Sequence, residues 1–224
     1  MNTVGLRGVD QGNTIVQQIS QTLLSRILSK AIRPGDRINE NLLATEFNVS
    51  RGPIREALRA MELSHLVEVI HNKGAFVRKL DIAEVLHLYD VRVGLAYTAG
   101  KLLARRTTAE QIAKLYALCQ SMEEKREQKD SQGYVELNEQ FHATLMSYTG
   151  NPRLIEWSKI LDQELRVFLR GGTFSASRMR TSNEEHLALV KCIDAGDAQG
   201  AALNFEEHIS KGRVRALDSM ITTE

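Results

Sequence analysis

The sequence predicts a mainly α-helical fold, in which an N-terminal winged helix-turn-helix precedes a C-terminal all-α helical bundle. Before residue 81, three helical patterns are followed by two short β-prone runs. After it, apolar residues keep the helical period, and no alternation of strands and helices is present. We therefore predict a flexible arm at residues 1–12, a winged helix-turn-helix at 13–80 and a helical bundle at 81–221.

Charge and cysteine content narrow the class of protein. Residues 1–80 carry 11 Lys/Arg and 7 Asp/Glu, and the rest carry 18 and 21 of the chain's 29 and 28. This asymmetry suggests that only the front part meets a polyanion. Cys119 and Cys192 lack CxxC spacing, which favours free thiols in a reducing compartment. Without a predicted signal peptide or membrane span, we expect a cytoplasmic protein.

The first two helical patterns are joined by a turn. Asn13 or Thr14 can cap a helix that keeps the helical period to about Lys30. A Pro-Gly pair then predicts a turn, and Asn39 is placed to cap a second helix that runs to about Phe47. A three-residue turn follows and leads into a third helix.

The third helix, which is predicted to start at Arg51, has one basic and one apolar face. Ser50 can cap its free amides, and Pro53 is tolerated because first-turn amides have no intrahelical partner. Arg51, Arg55 and Arg59 recur every four residues and therefore share a face. The apolar residues lie along another face: Ile54, Ala57, Leu58 and Met61.

This amphipathic helix supports two interpretations. A short helix and a tight turn before it are typical of a helix-turn-helix, whose second helix enters the major groove of DNA. Alternatively, the arginine row is a solvated face with local ion pairs to Glu56 or Glu62. The charge pattern of this helix does not by itself decide between the two.

Two β-prone runs after the third helix predict a hairpin. Residues 67–70 and 75–78 flank a four-residue connection that contains Gly74. Three helices followed by a hairpin make a winged helix-turn-helix, with Lys73 and Gly74 at the tip of the wing. A small, basic tip can approach a DNA groove closely, although a plain hairpin turn also favours glycine.

Segments 34–38, 50–59 and 73–77 together resemble the DNA-binding domain of the GntR family of bacterial transcription regulators. The resemblance implies that Arg51 and Arg55 reach bases or phosphates in the major groove and that the wing enters the minor groove. Family members often carry a basic residue where Asn41 stands. The predicted DNA-binding residues are Ser50, Arg51, Arg55, Arg59, Lys73 and Gly74.

Beyond residue 81 the pattern predicts six helices and no strands. Apolar residues recur at helical spacing, and Gly or Pro residues separate most of the segments. Gly133 is predicted to interrupt the helical pattern, and Asp197 to cap the last helix. The approximate helices are residues 82–103, 109–130, 134–148, 153–169, 183–195 and 198–220.

Three histidines of the predicted bundle lie beside the apolar stripes of three different helices. They are His142, His186 and His208, and all three are predicted to face the interior. Imidazole is the commonest metal ligand, and helical bundles build metal sites from inward side chains on facing helices. The alternative is three partly buried histidines whose nitrogens are satisfied by hydrogen bonds.

Segments 138–142, 150–152, 185–187 and 196–197, with His208, resemble the FCD effector-binding domain of the FadR branch of the same family. The resemblance implies a divalent transition metal, such as zinc or nickel, held by His142, His186, His208 and the residue at position 138. Many members have Asp there, whereas this chain has Asn138. An amide oxygen can still ligate, but the lost charge should change metal affinity or metal choice.

Arg92 matches an arginine that lines the ligand cavity of FCD domains. A guanidinium suits an organic carboxylate because it can bind both oxygens at once. Taken without the resemblance, a surface ion pair with Asp90 or Glu84 explains Arg92 equally well.

The sequence thus predicts a ligand-responsive transcription regulator. We interpret it as a repressor that binds an inverted-repeat operator in double-stranded DNA as a homodimer. A small organic carboxylate, bound by Arg92 and the metal, would release it. The alternatives are a metal-sensing repressor and a metal-dependent hydrolase. Against the hydrolase, the sequence contains no HExxH, GxSxG or P-loop motif.

Overall fold

The computed structural model describes residues 14–168 and 175–221. The chain divides into two compact units, Met1–Lys79 and Leu80–Glu224. The arm predicted at residues 1–12 and the Gly-Gly break predicted at residues 171–173 lie outside the described residues.

The described part of the first unit combines three helices with a small sheet. Its elements are α1 (Ile15–Leu28), β1 (Arg37–Ile38), α2 (Glu40–Glu46), α3 (Arg51–Leu63), β2 (Val67–Ile70) and β3 (Gly74–Val77). Thr14 and Gln17 form a capping box at the start of α1. The helix ends at Leu28, two residues before the predicted end, and Lys30 beyond it has a φ of 63°, outside the helical region.

The sheet contains one strand that the sequence did not predict. Its order is β1-β3-β2, and both pairings are antiparallel. The two residues of β1 pair with the middle of β3, where Arg37 lies opposite Phe76 and Ile38 opposite Ala75. The predicted wing hairpin is therefore confirmed, and it is extended by a short third strand that follows the Pro-Gly turn.

Helix α3 follows its predicted amphipathic pattern closely. Its core residues, Ile54, Ala57, Leu58 and Met61, are all buried, and the helix packs against α1, α2 and β2. Ser50 is at the N-cap position with an extended backbone. Among the described residues, however, its hydroxyl accepts no capping hydrogen bond from the helix. Ser50 therefore has the backbone conformation of the predicted cap without its side-chain hydrogen bond.

The described part of the second unit is made of helices only. They are α4 (Ile82–Arg106), α5 (Ala109–Glu127), α6 (Ser131–Tyr148), α7 (Pro152–Phe168), α8 (Ala176–Asp194) and α9 (Ala198–Ile221). Helix α4 packs against α6, α7, α8 and α9, and α5 packs against α6 and α8. None of the helices in the described ranges is both long enough and apolar enough to cross a membrane.

Two helix starts in this unit differ from the prediction. Gly133 does not interrupt a helix but lies in the first turn of α6, where its amide donates to Asp130 Oδ1 at 2.8 Å. Helix α8 begins at Ala176 rather than near Asn183, because Ser175 caps it by accepting a hydrogen bond from the Arg178 amide. Asp197 caps α9 as predicted, through the amide of Gly200.

Helices α4 and α9 approach each other closely at a glycine. A Cβ atom added at Gly100 of α4 would lie 2.5 Å from the carbonyl oxygen of Ala201 and 2.6 Å from the Cα of Ala202, both on α9. These are backbone atoms, which cannot turn aside as a flexible side chain can. The absence of a side chain at Gly100 therefore permits this helix pair to pack as it does.

We predict that Gly100→Ala destabilises the second unit. Overpacking costs about 1–3 kcal/mol, which outweighs the gain of about 1 kcal/mol that alanine brings to a helix interior. Urea unfolding followed by the fluorescence of Trp157, the chain's one tryptophan, measures the change. Gly94→Ala is the matched control on α4, since no described atom outside the helix's own adjacent backbone lies within 4 Å of its added Cβ. A Gly100→Ala protein as stable as Gly94→Ala would contradict this view of the helix contact.

Candidate functional site

The predicted basic face of α3 is exposed. Arg51, Arg55 and Arg59 all have exposed side chains, and they lie opposite the apolar residues that α3 buries in the unit's core. The side chain of Arg55 is oriented by an ion pair, because its Nε donates to Glu40 Oε2 of α2 at 2.8 Å. The side chain nevertheless stays 61% exposed. Its partner is therefore Glu40, and neither Glu56 nor Glu62 as the local ion-pair interpretation expected.

The arginine face borders an open groove in the first unit. The groove has a volume of about 860 Å³, and its walls come from β1, the start of α2, α3 and the wing hairpin. All the predicted DNA-binding residues except Ser50 line it: Arg51, Arg55, Arg59, Lys73 and Gly74. The structure thus brings the helix arginines and the wing tip to one surface.

Sequence reasoning missed one cation of this groove. Arg37 lies on β1, and a Cβ atom at Gly74 would be 3.3 Å from its Nε. Gly74 has a φ of 103°, a backbone conformation that favours glycine, and it lies at the end of the wing connection. The pairing of β1 with β3 places Arg37 there, and the two-residue strand left no periodic signal in the sequence.

The three predicted histidines of the second unit meet in its interior. His142 comes from α6, His186 from α8 and His208 from α9. The Nε2 atom of His208 lies 3.2 Å from the Nε2 of His186 and 3.2 Å from the Nε2 of His142. His186 and His208 are buried, and His142 is partly buried.

These nitrogens suit a shared metal ion. One ligand atom from each of the three histidines lies within 4.8 Å of the others. Two nitrogens bound about 2.0–2.1 Å from one tetrahedral ion would lie roughly 3.3 Å apart, close to the observed spacing. Asn138 stands one turn before His142 on α6, and its Oδ1 is buried without a hydrogen-bond partner among the described residues. An orphaned buried oxygen one helical turn from His142 is a candidate for a fourth donor.

Burial also favours the protonation state that binds metals. It lowers the pKa of His142 and His186 well below the usual value, and neighbouring positive charges lower them further. Burial lowers the pKa of His208 too, although a hydrogen bond with Glu185 opposes this effect. All three imidazoles are therefore neutral near pH 7, which is the form in which imidazole ligates a metal.

Glu185 and Arg215 form a second layer around His208. Glu185 Oε2 lies 2.7 Å from His208 Nδ1, and Arg215 donates to both carboxylate oxygens of Glu185 at 3.0 and 2.9 Å. Burial raises the pKa of Glu185, but the hydrogen bonds from His208 and Arg215 outweigh burial and leave it below the usual value. Glu185 is thus a carboxylate near pH 7.

Arg92 is partly buried and already has a partner. Its Nη2 lies 3.0 Å from Asp162 Oδ1 on α7, and its guanidinium carbon lies 5.7 Å from the centre of the Tyr89 ring. The ion-pair partner is therefore Asp162, and not Asp90 or Glu84 as the sequence suggested; Asp90 pairs with Arg213 instead. The positive charge of Arg92 contributes to the lowered pKa of both His142 and His208.

Comparison with known families identifies both units. Residues 15–77 match the bacterial regulatory proteins of the gntR family, and residues 87–211 match the FCD domain. The chain is 30% identical over 184 residues to the Nta operon transcriptional regulator of Aminobacter aminovorans, covering 82% of this chain and 86% of that protein. It is 31% identical over 129 residues to the gluconate operon transcriptional repressor of Bacillus licheniformis, covering 58% and 53%.

A solved structure supports the same architecture. Escherichia coli McbR/YncC superposes with a TM-score of 0.75 at 18% sequence identity, covering 93% of this chain and 99% of that one. At this level of identity the likeness shows the fold alone. The predicted fold class and family resemblance are confirmed, and the hydrolase alternative is wrong because the relatives are transcriptional regulators. The chain belongs to the GntR family of bacterial transcriptional regulators and carries an FCD domain.

Proposed function

We propose that this regulator is a ligand-responsive repressor that binds an inverted-repeat operator as a homodimer. A small organic carboxylate, bound beside a divalent metal in the second unit, would release it from DNA. The observation that carries the proposal is the groove of the first unit, in which Arg51, Arg55, Lys73 and Gly74 share one open surface. As a DNA-binding protein of bacterial type, it would act in the cytoplasm.

The basic groove supports contacts to both bases and phosphates. Arginine pairs with guanine through two parallel hydrogen bonds. Glu40 binds the Nε of Arg55, and no residue in the described part of the chain hydrogen-bonds the two terminal nitrogens of that guanidinium, so they are available for such a pair. Arg51 and Arg59 extend along the same helix face and suit phosphates. Two copies related by a twofold axis would present two such helices to an inverted repeat.

The histidine cluster supports the metal part of the proposal. His142, His186 and His208 would hold the ion, and the Asn138 amide oxygen is the proposed fourth donor. A bound zinc or nickel ion would supply a Lewis-acidic centre for a carboxylate oxygen. Since none of these donors carries a negative charge, an anionic effector would be attracted to the occupied site.

Arg92 supports a carboxylate as the effector. In the structure this guanidinium is paired with the Asp162 carboxylate, which is the same chemical group that a carboxylate effector would present. Burial raises the pKa of Asp162, although the nearby charges of Arg92 and Arg166 oppose that rise. A partly buried carboxylate of this kind can be displaced by a ligand carboxylate that also gains a metal bond. The name of the gluconate operon repressor links a relative to an operon for a sugar acid.

A metal-sensing repressor is the second candidate, and the same ion pair favours it. Asp162 already compensates Arg92 without any effector. The three histidines would then be sufficient to sense the ion alone, and the ion's differential affinity for two arrangements of the unit would control DNA binding.

We predict that Arg55→Ala weakens binding to DNA that the wild-type protein selects from a randomised pool. Losing one two-pronged guanine contact, worth about 1–3 kcal/mol, should reduce affinity about 5- to 150-fold. Fluorescence anisotropy at fixed salt measures it. Arg153→Ala is the matched control, because it removes an exposed arginine of the second unit that pairs with Glu156, three residues away on the same helix. Equal affinity of Arg55→Ala and wild type would refute the assignment of α3.

We predict that at least one carboxylate in a panel that includes gluconate raises the melting temperature of metal-loaded wild-type protein. Arg92→Ala should lose this response, whereas Arg213→Ala, which removes a guanidinium paired with Asp90, should retain it. A panel without any response, or an unchanged response in Arg92→Ala, would contradict the carboxylate proposal. If chelator alone changes DNA affinity and no acid does, the metal-sensing candidate replaces it.

We predict that the metal-free protein loses stability as the pH falls below 6.5. In the unfolded chain His142 and His186 bind protons in this pH range, whereas in the folded protein they stay neutral because burial lowers their pKa. Each such histidine lowers the free energy of unfolding by about 1.4 kcal/mol in total between pH 7.5 and 5.5, because its unfolded imidazole takes up most of a proton over this range. Urea unfolding between pH 7.5 and 5.5 measures the slope. His142→Asn should flatten it; a slope equal to that of the wild type would argue against neutral buried imidazoles.

A further inference from the structure

His208 differs from the other cluster histidines in having a carboxylate partner. Its Nδ1 lies 2.7 Å from Glu185 Oε2, and the two side chains are only 6% and 11% exposed. The contact joins α8 to α9 beside the point where the three Nε2 atoms meet. His186, by contrast, has a buried Nδ1 that finds no hydrogen-bond partner in the described part of the chain.

Glu185 is itself held from two directions. Arg215, two turns beyond His208 on α9, grips both carboxylate oxygens, and its side chain is 20% exposed. The ammonium group of Lys211 lies 3.9 Å from Oε1. A carboxylate fixed by a two-pronged arginine has little freedom to rotate, so its Oε2 stays directed at His208.

This contact decides which nitrogen of His208 carries the hydrogen. A carboxylate has only acceptors, so His208 must donate through Nδ1–H. A neutral imidazole carries one hydrogen, and Nε2 therefore keeps its lone pair. That same Nε2 is the atom 3.2 Å from the Nε2 of both other histidines.

We propose that Glu185 and Arg215 are positioning residues for the metal site, in which Glu185 fixes the ring and tautomer of His208 and Arg215 fixes Glu185. This inference rests on the metal site proposed above. The role differs from a plain tie between helices, because it requires the hydrogen to reside on Nδ1 of His208 before any metal binds. It also connects the cluster to the C-terminal half of α9, which carries Arg215.

Zinc binding in competition with a chromophoric chelator tests the proposal on the full chain. Glu185→Gln keeps the side-chain shape but removes the charge, and it should weaken zinc binding about 10- to 100-fold, the usual effect of losing such a partner. Glu207→Gln is the matched control: it removes an exposed carboxylate next to His208 that pairs with Lys211, and it should bind zinc as wild type does. His208→Ala gives the reference for a broken site.

Nitrogen-15 NMR of the metal-free protein supplies a readout that a purely structural role would not change. With His208 assigned from the His208→Ala spectrum, the wild type should show a protonated Nδ1 and an unprotonated Nε2. Glu185→Gln should show a mixture of the two tautomers. If Glu185→Gln does not fold, Arg215→Lys, which keeps the charge but not the two-pronged grip, should shift both readouts in the same direction.

The outcomes separate this inference from the metal site itself. Wild-type protein that binds no zinc would overturn both. Tight binding by wild type with unchanged affinity in Glu185→Gln would overturn the positioning role alone, and so would weaker binding with an unchanged His208 tautomer. Weaker binding together with a mixed tautomer, and no effect of Glu207→Gln, is the expected result.

Discussion

The packing of α4 against α9 is the constraint on which the interior of the second unit depends. Gly100 lets the two helix backbones approach until an added methyl group would collide with Ala201 and Ala202. Helix α4 carries Arg92, and α9 carries His208 and Arg215, so the position of one helix on the other sets where these side chains meet. Helices α6 and α8 then bring His142 and His186 to the same place.

Electrostatics explains why the proposed metal and effector would bind together. Three neutral imidazoles and an amide give a divalent ion no formal compensation, and Arg92 adds positive charge nearby. Glu185 is a carboxylate next to the cluster, but its negative charge is already compensated by the ion pair with Arg215. An anionic ligand would supply what the donors lack, so each partner should strengthen the binding of the other. The negative charge of the proposed effector would thus follow from the neutral donor set.

The sequence predicted local features of this chain better than contacts between distant residues. The faces of α3 follow from helical spacing, and the structure buries Ile54 and Leu58 while exposing Arg55 as the spacing requires. Gly133 was misread because glycine usually breaks helices, whereas here Asp130 caps the turn that contains it. The short strand that carries Arg37 depends on pairing with β3, which no local pattern encodes.

In the candidate site, too, local features were predicted better than contacts between distant residues. Periodicity placed His142, His186 and His208 toward the interior and left a shared metal site and three separately hydrogen-bonded histidines both open, and the family resemblance then favoured the metal site. The partner of Arg92 is Asp162, 70 positions away and on another helix, so the alternative of an ion pair with Asp90 or Glu84 named the wrong acids. The roles of Glu185 and Arg215 were missed because a residue that positions a histidine ligand by a hydrogen bond follows no regular spacing in the sequence.

X-ray absorption at the metal edge of purified, metal-loaded protein tests the central claim most directly. The account predicts scattering from three imidazole groups, with nitrogen about 2.0–2.1 Å from the metal. A spectrum without imidazole scattering, or one dominated by sulfur from Cys119 or Cys192, would contradict it.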